Sequence, residues 1–301
     1  MTLQQLKYVI CIAENGKFST AAKRLFISQP SLTEAVKELE DELGVCIFKR
    51  TNRGVSVTPE GEELLAYCRQ VVEQANLLEE KYKGKKAGKR DFCVSCQHYS
   101  FAVDAFVSLI KQTGAEEYDF RLRETQTYEI IEDVARLVSE VGVLYKNAFN
   151  QAVINKVLKQ NDLSFTPLFT AKPHVFVGKT SPLASKNKVS LSDLQTYPCL
   201  TFEQGEHNSF YFSEEILSTL YSAKNIRVRD RATLFNCLVG LDGYTISSGV
   251  ISEELNGDNI VAIPLEADDY MEIGYITNNK VVLSALAEKY VALLKDLTSF
   301  Y

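Results

Sequence analysis

The residues of this chain best suited to chemistry cluster near its N-terminus. Ser28, Gln29, Pro30, Ser31, Thr33, Glu34 and Lys37 form one polar run, and Arg50 and Arg53 follow shortly after it. Amide, hydroxyl and carboxylate groups on the exposed face of one helix can hydrogen-bond to base edges in a DNA major groove. Guanidinium groups at the tip of a hairpin suit phosphate or minor-groove contact. A second chemistry is suggested by Cys93-Val94-Ser95-Cys96, formally a CxxC and so a redox pair or half a zinc site. On a strand, however, residues three apart face opposite sides, and no second pair follows. Buried small side chains are therefore the competing reading. None of the three histidines, His98, His174 and His207, has a neighbour at metal-ligand spacing. His98 reads either as a hydrogen-bonded loop residue or as a ligand contact or pH-responsive group.

The apolar residues supply the frame for these groups. Leu3, Leu6, Val9, Ile10 and Ala13, then Ala21, Ala22 and Leu25, then Leu32, Val36, Leu39 and Leu43 recur at helical spacing. That spacing predicts three amphipathic helices around one small core. Ser28 can cap the third helix and Pro30 fits its first turn, so this helix should start near Gln29. With Leu32, Val36 and Leu39 inward, Gln29, Ser31, Thr33, Glu34 and Lys37 point outward. Residues 45–48 and 55–57 read as short strands around Lys49-Arg50-Thr51-Asn52-Arg53-Gly54, a hairpin with positive charge at its tip. Thr58-Pro59-Glu60 opens another helix, with Glu60, Glu62 and Glu63 near the positive end of its dipole. Along it Leu64, Cys68, Val71, Ala75, Leu78 and Tyr82 alternate steps of four and three, a heptad seam that implies pairing with a second helix.

Charge divides the chain in the same way. Residues 1–90 hold 15 lysines and arginines against 12 acids and residues 91–301 hold 18 against 27, a basic head of +3 and an acidic body of −9 within the overall −6. A length of 301 residues suits about two domains. No long apolar run or signal-peptide pattern occurs, since Lys7 and Glu14 interrupt the first helix, so a cytoplasmic location is expected. Seven cysteines at irregular spacing do not suggest a disulfide framework. The basic, glycine-bearing stretch at residues 82–90 is expected to be the hinge. No phosphate loop, nucleophile elbow, metal cluster or His placed against Ser or Cys is legible, which argues against an enzyme.

The order of helix, helix-turn-helix, wing and long helix, with AAKRLFISQPSLTEAVKELEDELGVCIFKRTNRGVSVTPEGEELL as it stands, resembles the LysR-type transcriptional regulators. The resemblance implies an α/β protein with an N-terminal winged helix-turn-helix (1–58), a linker helix and hinge (59–90), and a two-lobed periplasmic-binding-protein-like effector domain (91–301). The first lobe would take residues 91–162 and 268–301 and the second 163–267, with crossovers near Asp162 and Ala267. It further implies double-stranded operator DNA, a small-molecule effector, self-association to dimer or tetramer, and RNA polymerase as partners, with no cofactor and no membrane. Glu34 departs from the pattern, standing where relatives often carry a basic or amide side chain. A carboxylate there would repel phosphate or accept from a cytosine amino group. The peroxide-sensing branch carries a reactive cysteine after a segment comparable to residues 203–207, where this chain has Asn208.

The body itself reads as alternating strands and helices, which favours a parallel sheet covered by helices. Strands are expected at residues 92–95, 120–124, 142–145, 173–178, 199–202, 226–229, 244–247 and 271–277. Helices are expected at 99–111, 128–138, 214–221, 233–239 and 282–297. If the lobes face each other across strand ends and helix N-termini, the cleft should take a small polar or anionic metabolite. Three loops would line it: Cys96, Gln97, His98, Tyr99 and Ser100; Thr125, Gln126 and Thr127; and Thr201, Phe202 and Glu203. Ser100 and Thr127 also suit plain helix capping, and Thr245 and Ser247 are weaker candidates for the same cleft. The alternative function carried by these residues is a thiol oxidoreductase or thiol-redox-sensing regulator using Cys93 and Cys96.

Overall fold

The computed structural model describes residues 1–51, 54–82, 90–114, 117–207, 209–252 and 257–300. The chain divides into two compact units, one holding Met1–Ala87 and the other holding most of the remainder. In the first unit, α1 (Leu3–Asn15), α2 (Phe18–Arg24) and α3 (Gln29–Leu43) precede a hairpin of β1 (Phe48–Thr51) and β2 (Gly54–Val57), and α4 (Pro59–Tyr82) closes it. Local signals set these boundaries. Thr2 and Gln5 form a capping box at the start of α1, and Gly16, with φ 63°, ends it by bonding its amide to the Ile12 carbonyl. Ser28 caps α3 and Gly44, with φ 67°, ends it. Leu6, Val9, Ile12, Leu32, Val36 and Leu39 fill the shared core, which Ile47, Leu65 and Cys68 complete. The Glu40 carboxylate accepts from the backbone amides of Ile47 (2.6 Å) and Phe48 (3.2 Å), tying α3 to the base of the hairpin.

The second unit contains two five-stranded sheets. The first is built from β3 (Arg90–Cys96), β4 (Tyr118–Glu124), β5 (Val141–Lys146), β6 (Leu163–Ala171) and β12 (Met271–Asn278), in the order β4-β3-β5-β12-β6. The second is built from β7 (His174–Gly178), β8 (Cys199–Phe202), β9 (Asn225–Val228), β10 (Tyr244–Ser247) and β11 (Ile260–Pro264), in the order β11-β7-β10-β8-β9. Helices α5 (Ser100–Thr113), α6 (Thr127–Ala135) and α7 (Gln151–Gln160) follow strands of the first sheet, α8 (Arg231–Gly240) follows β9, and α9 (Ala285–Thr298) ends the described chain. Both sheets are mixed rather than parallel: β3 runs parallel to β4 and β5, while β12 is antiparallel to β5 and β6. The return of the chain through β12 is what reverses the direction.

Three expectations need correction. The first passage between lobes is not at Asp162, because β6 pairs with β12 from Leu163 to Ala171, and the chain crosses at Lys172 and Pro173. Strand β6 was hidden by its weak alternation and by Pro167, which an edge strand tolerates because it has no partner for the missing amide on one side. Residues 214–221 form turns rather than a helix, with Leu217 at φ 62°. Helix α6 ends at Ala135, and Leu137 takes a positive φ of 54° where the longer helix was expected. Helix α7 and strand β11 also went unread.

Gly142 on β5 packs where no side chain fits: a Cβ there would stand 2.7 Å from both Ile130 Cγ2 and Ile276 Cγ1. Gly142→Ala should overpack this core and lower the unfolding free energy by about 1–3 kcal/mol, read from urea titration of the whole chain. An unchanged midpoint would mean that the core has slack at this point.

Candidate functional site

The head presents the polar run as expected. Gln29, Pro30, Ser31, Glu34 and Lys37 are exposed, while Leu32, Val36 and Leu39 are buried on the opposite face of α3. Two of the hydroxyls do structural duty. Ser28 Oγ accepts from the Ser31 amide at 3.2 Å and lies 2.8 Å from Ser31 Oγ. Thr33 Oγ1 donates to the Gln29 carbonyl at 2.9 Å, so what it offers outward is a methyl group and a lone pair. Arg50 is exposed on β1 opposite Val55. The hairpin is held in place because the Val55 amide donates to the Gly16 carbonyl at 2.9 Å. A Cβ on Gly54 would come within 2.3 Å of that same oxygen, so the close approach requires glycine. Arg53 lies outside the described residues.

The seam on α4 is divided between two uses. Cys68 is 1% exposed inside the head's own core and Leu64 packs against that core, so neither is available to a second helix. Val71 and Leu78 are exposed, at 46% and 60%, and Tyr67, one position away from the expected Cys68, is 52% exposed. Ala75 is half-buried, and the Tyr82 side chain lies outside the described residues. The heptad steps were legible, but which of two adjacent apolar positions faced the core was decided by α1 packing alongside.

In the body the lobes meet through a hydrogen-bonded network. Gln97 Nε2 donates to Thr127 Oγ1 (2.6 Å), Gln97 Oε1 accepts from the Tyr145 amide (3.0 Å), and the Thr127 amide donates across to Gln204 Oε1 (3.1 Å). Ser100 Oγ accepts from the Ser252 amide at 3.2 Å. Glu214 Oε2 from the second lobe accepts from the backbone amide of His98 (3.0 Å) and lies 2.9 Å from its ring Nδ1. The His98 ring in turn stacks on Phe202, with centroids 3.8 Å apart and planes 5° apart.

A cleft lies between these contacts, lined by His98, Tyr99 and Ser100 from the first lobe and by Phe176, Phe202, Glu214, Glu215, Arg231, Phe235, Thr245, Ser247 and Ile251 from the second, among others. Its free interior is about 30 Å³, room for a water-sized group. The loops predicted to line it divide accordingly. His98, Tyr99, Ser100 and Phe202 line the cleft, as do Thr245 and Ser247. Gln97 and Thr127 are locked in the network beside it, and Cys96 is buried in the sheet core. Thr125 bonds to Glu129, Gln126 packs against Gly205, and Thr201 does not reach the cleft. Glu203 turns outward to pair with Arg229 at 2.8 Å. Sequence reasoning missed Glu214, Glu215 and Arg231: it placed the first two on a helix over 214–221 and did not single out the third, which lies between the strand expected at 226–229 and the helix expected at 233–239.

The electrostatics of the cleft follow from burial. Glu215 Oε1 accepts from the Phe202 amide at 2.7 Å, Oε2 has no partner, and burial beside Glu214 pushes the carboxyl up to about 8. Burial alone would lower the His98 pKa, but the charge and hydrogen bond of Glu214 outweigh it and the result is a rise. Arg231 Nη2 lies 3.0 Å from Glu124 Oε1, a charge contact without hydrogen-bond alignment. The thiol reading finds no support here. Cys96 sits in the core, Cys93 receives a bond from Ser139 Oγ at 3.1 Å, and burial raises both thiols, which disfavours the reactive thiolate. Among the described residues no group of His, Cys, Asp and Glu is arranged to hold a metal ion.

Glu215 makes stability fall with rising pH. Its folded pKa of about 8 exceeds the ordinary 4.5, so across that window the folded chain holds a proton that the unfolded chain has released. The raised His98 pKa acts in the same direction, since its favourable pairing is lost as pH rises through the folded value. Glu215→Gln keeps the acceptor for Phe202 and cannot ionise. Its thermal midpoint should match the parent near pH 5 and exceed it at pH 8, and parallel curves for the two proteins would contradict this account.

Comparison with known proteins agrees with this geometry. Residues 3–62 match the model of the bacterial regulatory helix-turn-helix protein of the lysR family, and residues 115–299 match the LysR substrate binding domain. The HTH-type transcriptional regulator YbhD of Escherichia coli is 26% identical over 300 residues, 98% of this chain and 91% of the relative. A cysteine-to-aspartate variant of full-length OxyR from Pseudomonas aeruginosa superposes with a TM-score of 0.68 at 21% identity, covering 99% of this chain and 94% of that one. CbnR in complex with its target DNA gives a TM-score of 0.58 at 18% identity, covering 99% and 100%. No described helix is long and apolar enough to cross a membrane. With a winged helix-turn-helix head and a two-lobed body that both match its models, the chain belongs to the LysR family of DNA-binding transcriptional regulators.

Proposed function

We propose that this regulator reads its operator through the exposed face of α3, with Gln29, Ser31, Thr33, Glu34 and Lys37 at base edges and Arg50 on the backbone, and that a small molecule in the inter-lobe cleft sets its activity. The observation that carries this reading is the division of α3 into a buried apolar face and an exposed polar first half beside a basic hairpin. Ser28 acts by capping the helix, and Arg53 belongs to the same hairpin by sequence. Glu34 makes contact with a cytosine amino group the natural preference at its position. The chain works as a binding protein rather than an enzyme, with RNA polymerase as its further partner and the cytoplasm as its location.

The cleft is narrow, with a free interior of about 30 Å³, so an effector of more than a few atoms must part the lobes or displace side chains to seat fully. That requirement is what gives the ligand different affinities for two states, without which it could switch nothing. Self-association places two heads on adjacent half-sites, and the apolar stripe of Tyr67, Val71 and Leu78 on α4 supports pairing through that helix.

Two tests follow. DNA selected by the full chain from a random pool should lose affinity for Arg50→Ala across all sequences, with the salt slope falling by about 1. Thr33→Ala should instead relax the preference at one base position, a loss of about 1–3 kcal/mol in discrimination. Both variants binding like the parent would overturn the reading face. For the pairing helix, Val71→Glu combined with Leu78→Glu should halve the mass measured by light scattering at micromolar concentration, and an unchanged mass would place the interface elsewhere.

A further inference from the structure

We propose that the inter-lobe cleft takes a small organic cation, its ammonium group seated against the free oxygen of Glu215. This rests on the reading of that cleft as the effector site and names the chemical class of its ligand.

Among the described residues, three that line the cleft hold a buried polar atom without a hydrogen-bond partner: Glu215, Tyr99 and Arg231, the last through Nη1 of a guanidinium whose Nη2 lies 3.0 Å from Glu124. Glu215 is 4% exposed and its Oε2 has no hydrogen-bond partner, and Tyr99 is 5% exposed with its hydroxyl in the same condition. Buried polar atoms are almost always paired, so three orphans on residues lining one space point to a group that fills it. An acceptor-only carboxylate beside a hydroxyl, which can accept as well as donate, suits a multiple N–H donor.

The charges select the sign. Glu214 already has His98 at 2.9 Å, and Glu124 already has Arg231 at 3.0 Å. Glu215 is the acid left over, and a buried carboxylate is costly until it gains an opposite charge. A ligand bearing only a carboxylate would lie among Glu214 and Glu215, and the one guanidinium lining the cleft, Arg231, already shares its charge with Glu124 although its Nη1 is free. Of the polar or anionic ligands expected where strand ends and helix N-termini meet, the side chains that close the cleft therefore disfavour the purely anionic kind. Burial holds a proton on Glu215 when the site is empty, and an incoming ammonium replaces that proton as the compensating charge. The free interior of about 30 Å³ matches an ammonium head, and the partly exposed Phe202, Phe235 and Ile251 offer an apolar path for the body that carries it.

The test uses the full chain at pH 7.5 with primary alkylamines from methylamine to hexylamine and phenethylamine, each beside the carboxylate and the α-amino acid of matching skeleton. A dose-dependent rise of several degrees in thermal midpoint with amines, absent with carboxylates and lost in Glu215→Gln, is the expected result. Tyr99→Phe should weaken the response several-fold without abolishing it. A rise with an amino acid that is equally lost in Glu215→Gln supports the same ammonium seat, the free Nη1 of Arg231 then taking the carboxylate. A rise with carboxylates alone, an amine response that survives Glu215→Gln, or silence from every amine and amino acid overturns the proposal. Binding of selected DNA is measured on the same samples: intact DNA binding with a carboxylate response leaves the regulator and its cleft standing and removes only the cation.

Discussion

Two adjacent carboxylates, Glu214 and Glu215, are carried into the interface between the lobes, and the body is organised around compensating them. Desolvation of one carboxylate would cost several kcal/mol, and two side by side add mutual repulsion. The chain meets this with donors from the other lobe and from its own backbone. The His98 amide and ring take Glu214, and the Phe202 amide takes one oxygen of Glu215. The stacking of His98 on Phe202 ties those donors together, so moving the lobes apart exposes charge, aromatic surface and backbone at once. A cleft held in this way is sensitive to any group that offers the missing positive charge.

The surrounding network explains why the compensation is stable. Gln97, Thr127 and Gln204 link the first sheet, the start of α6 and the second lobe in one chain of hydrogen bonds. These are neutral side chains, each held by hydrogen bonds within the protein, and their role is to hold His98 and Glu214 at bonding distance. The loops around the cleft thus contain two kinds of polar residue. One kind is used up in holding the lobes, and the other, Glu215 and Tyr99, is left with unused bonding capacity.

The head solves a simpler problem. Its core must bury one face of α3 while leaving the other wet, and Glu40 ties the base of the wing to α3 by accepting backbone amides, beside the packing of Phe48, Val55 and Val57 on the core. The approach of Gly54 to the Gly16 carbonyl closes the hairpin onto the turn between α1 and α2. Helix α4 then does two jobs with neighbouring residues: Leu65 and Cys68 complete the core, and Tyr67, Val71 and Leu78 remain outside.

What the sequence by itself determined is local and periodic. The capped start of α3 at Ser28 and Pro30, its glycine stop, the alternation of its faces and the basic hairpin all arise from contacts a few residues apart, and so did the resemblance to LysR regulators. The alternating strands and helices of the body were legible for the same reason. The tertiary structure decided everything that depends on distant partners. Strand β6 belongs to the first sheet because β12, more than a hundred positions later, pairs with it, and Pro167 erased the local sign. Cys68 turned inward and Tyr67 outward because α1 lies against α4. Glu203, expected from its loop to face the cleft, is drawn to the surface by Arg229, while Glu214 and Glu215 enter it because His98 and the Phe202 amide await them there. Periodicity reports how a segment meets water, but the sign of a binding site is set by which charges from different segments are brought together.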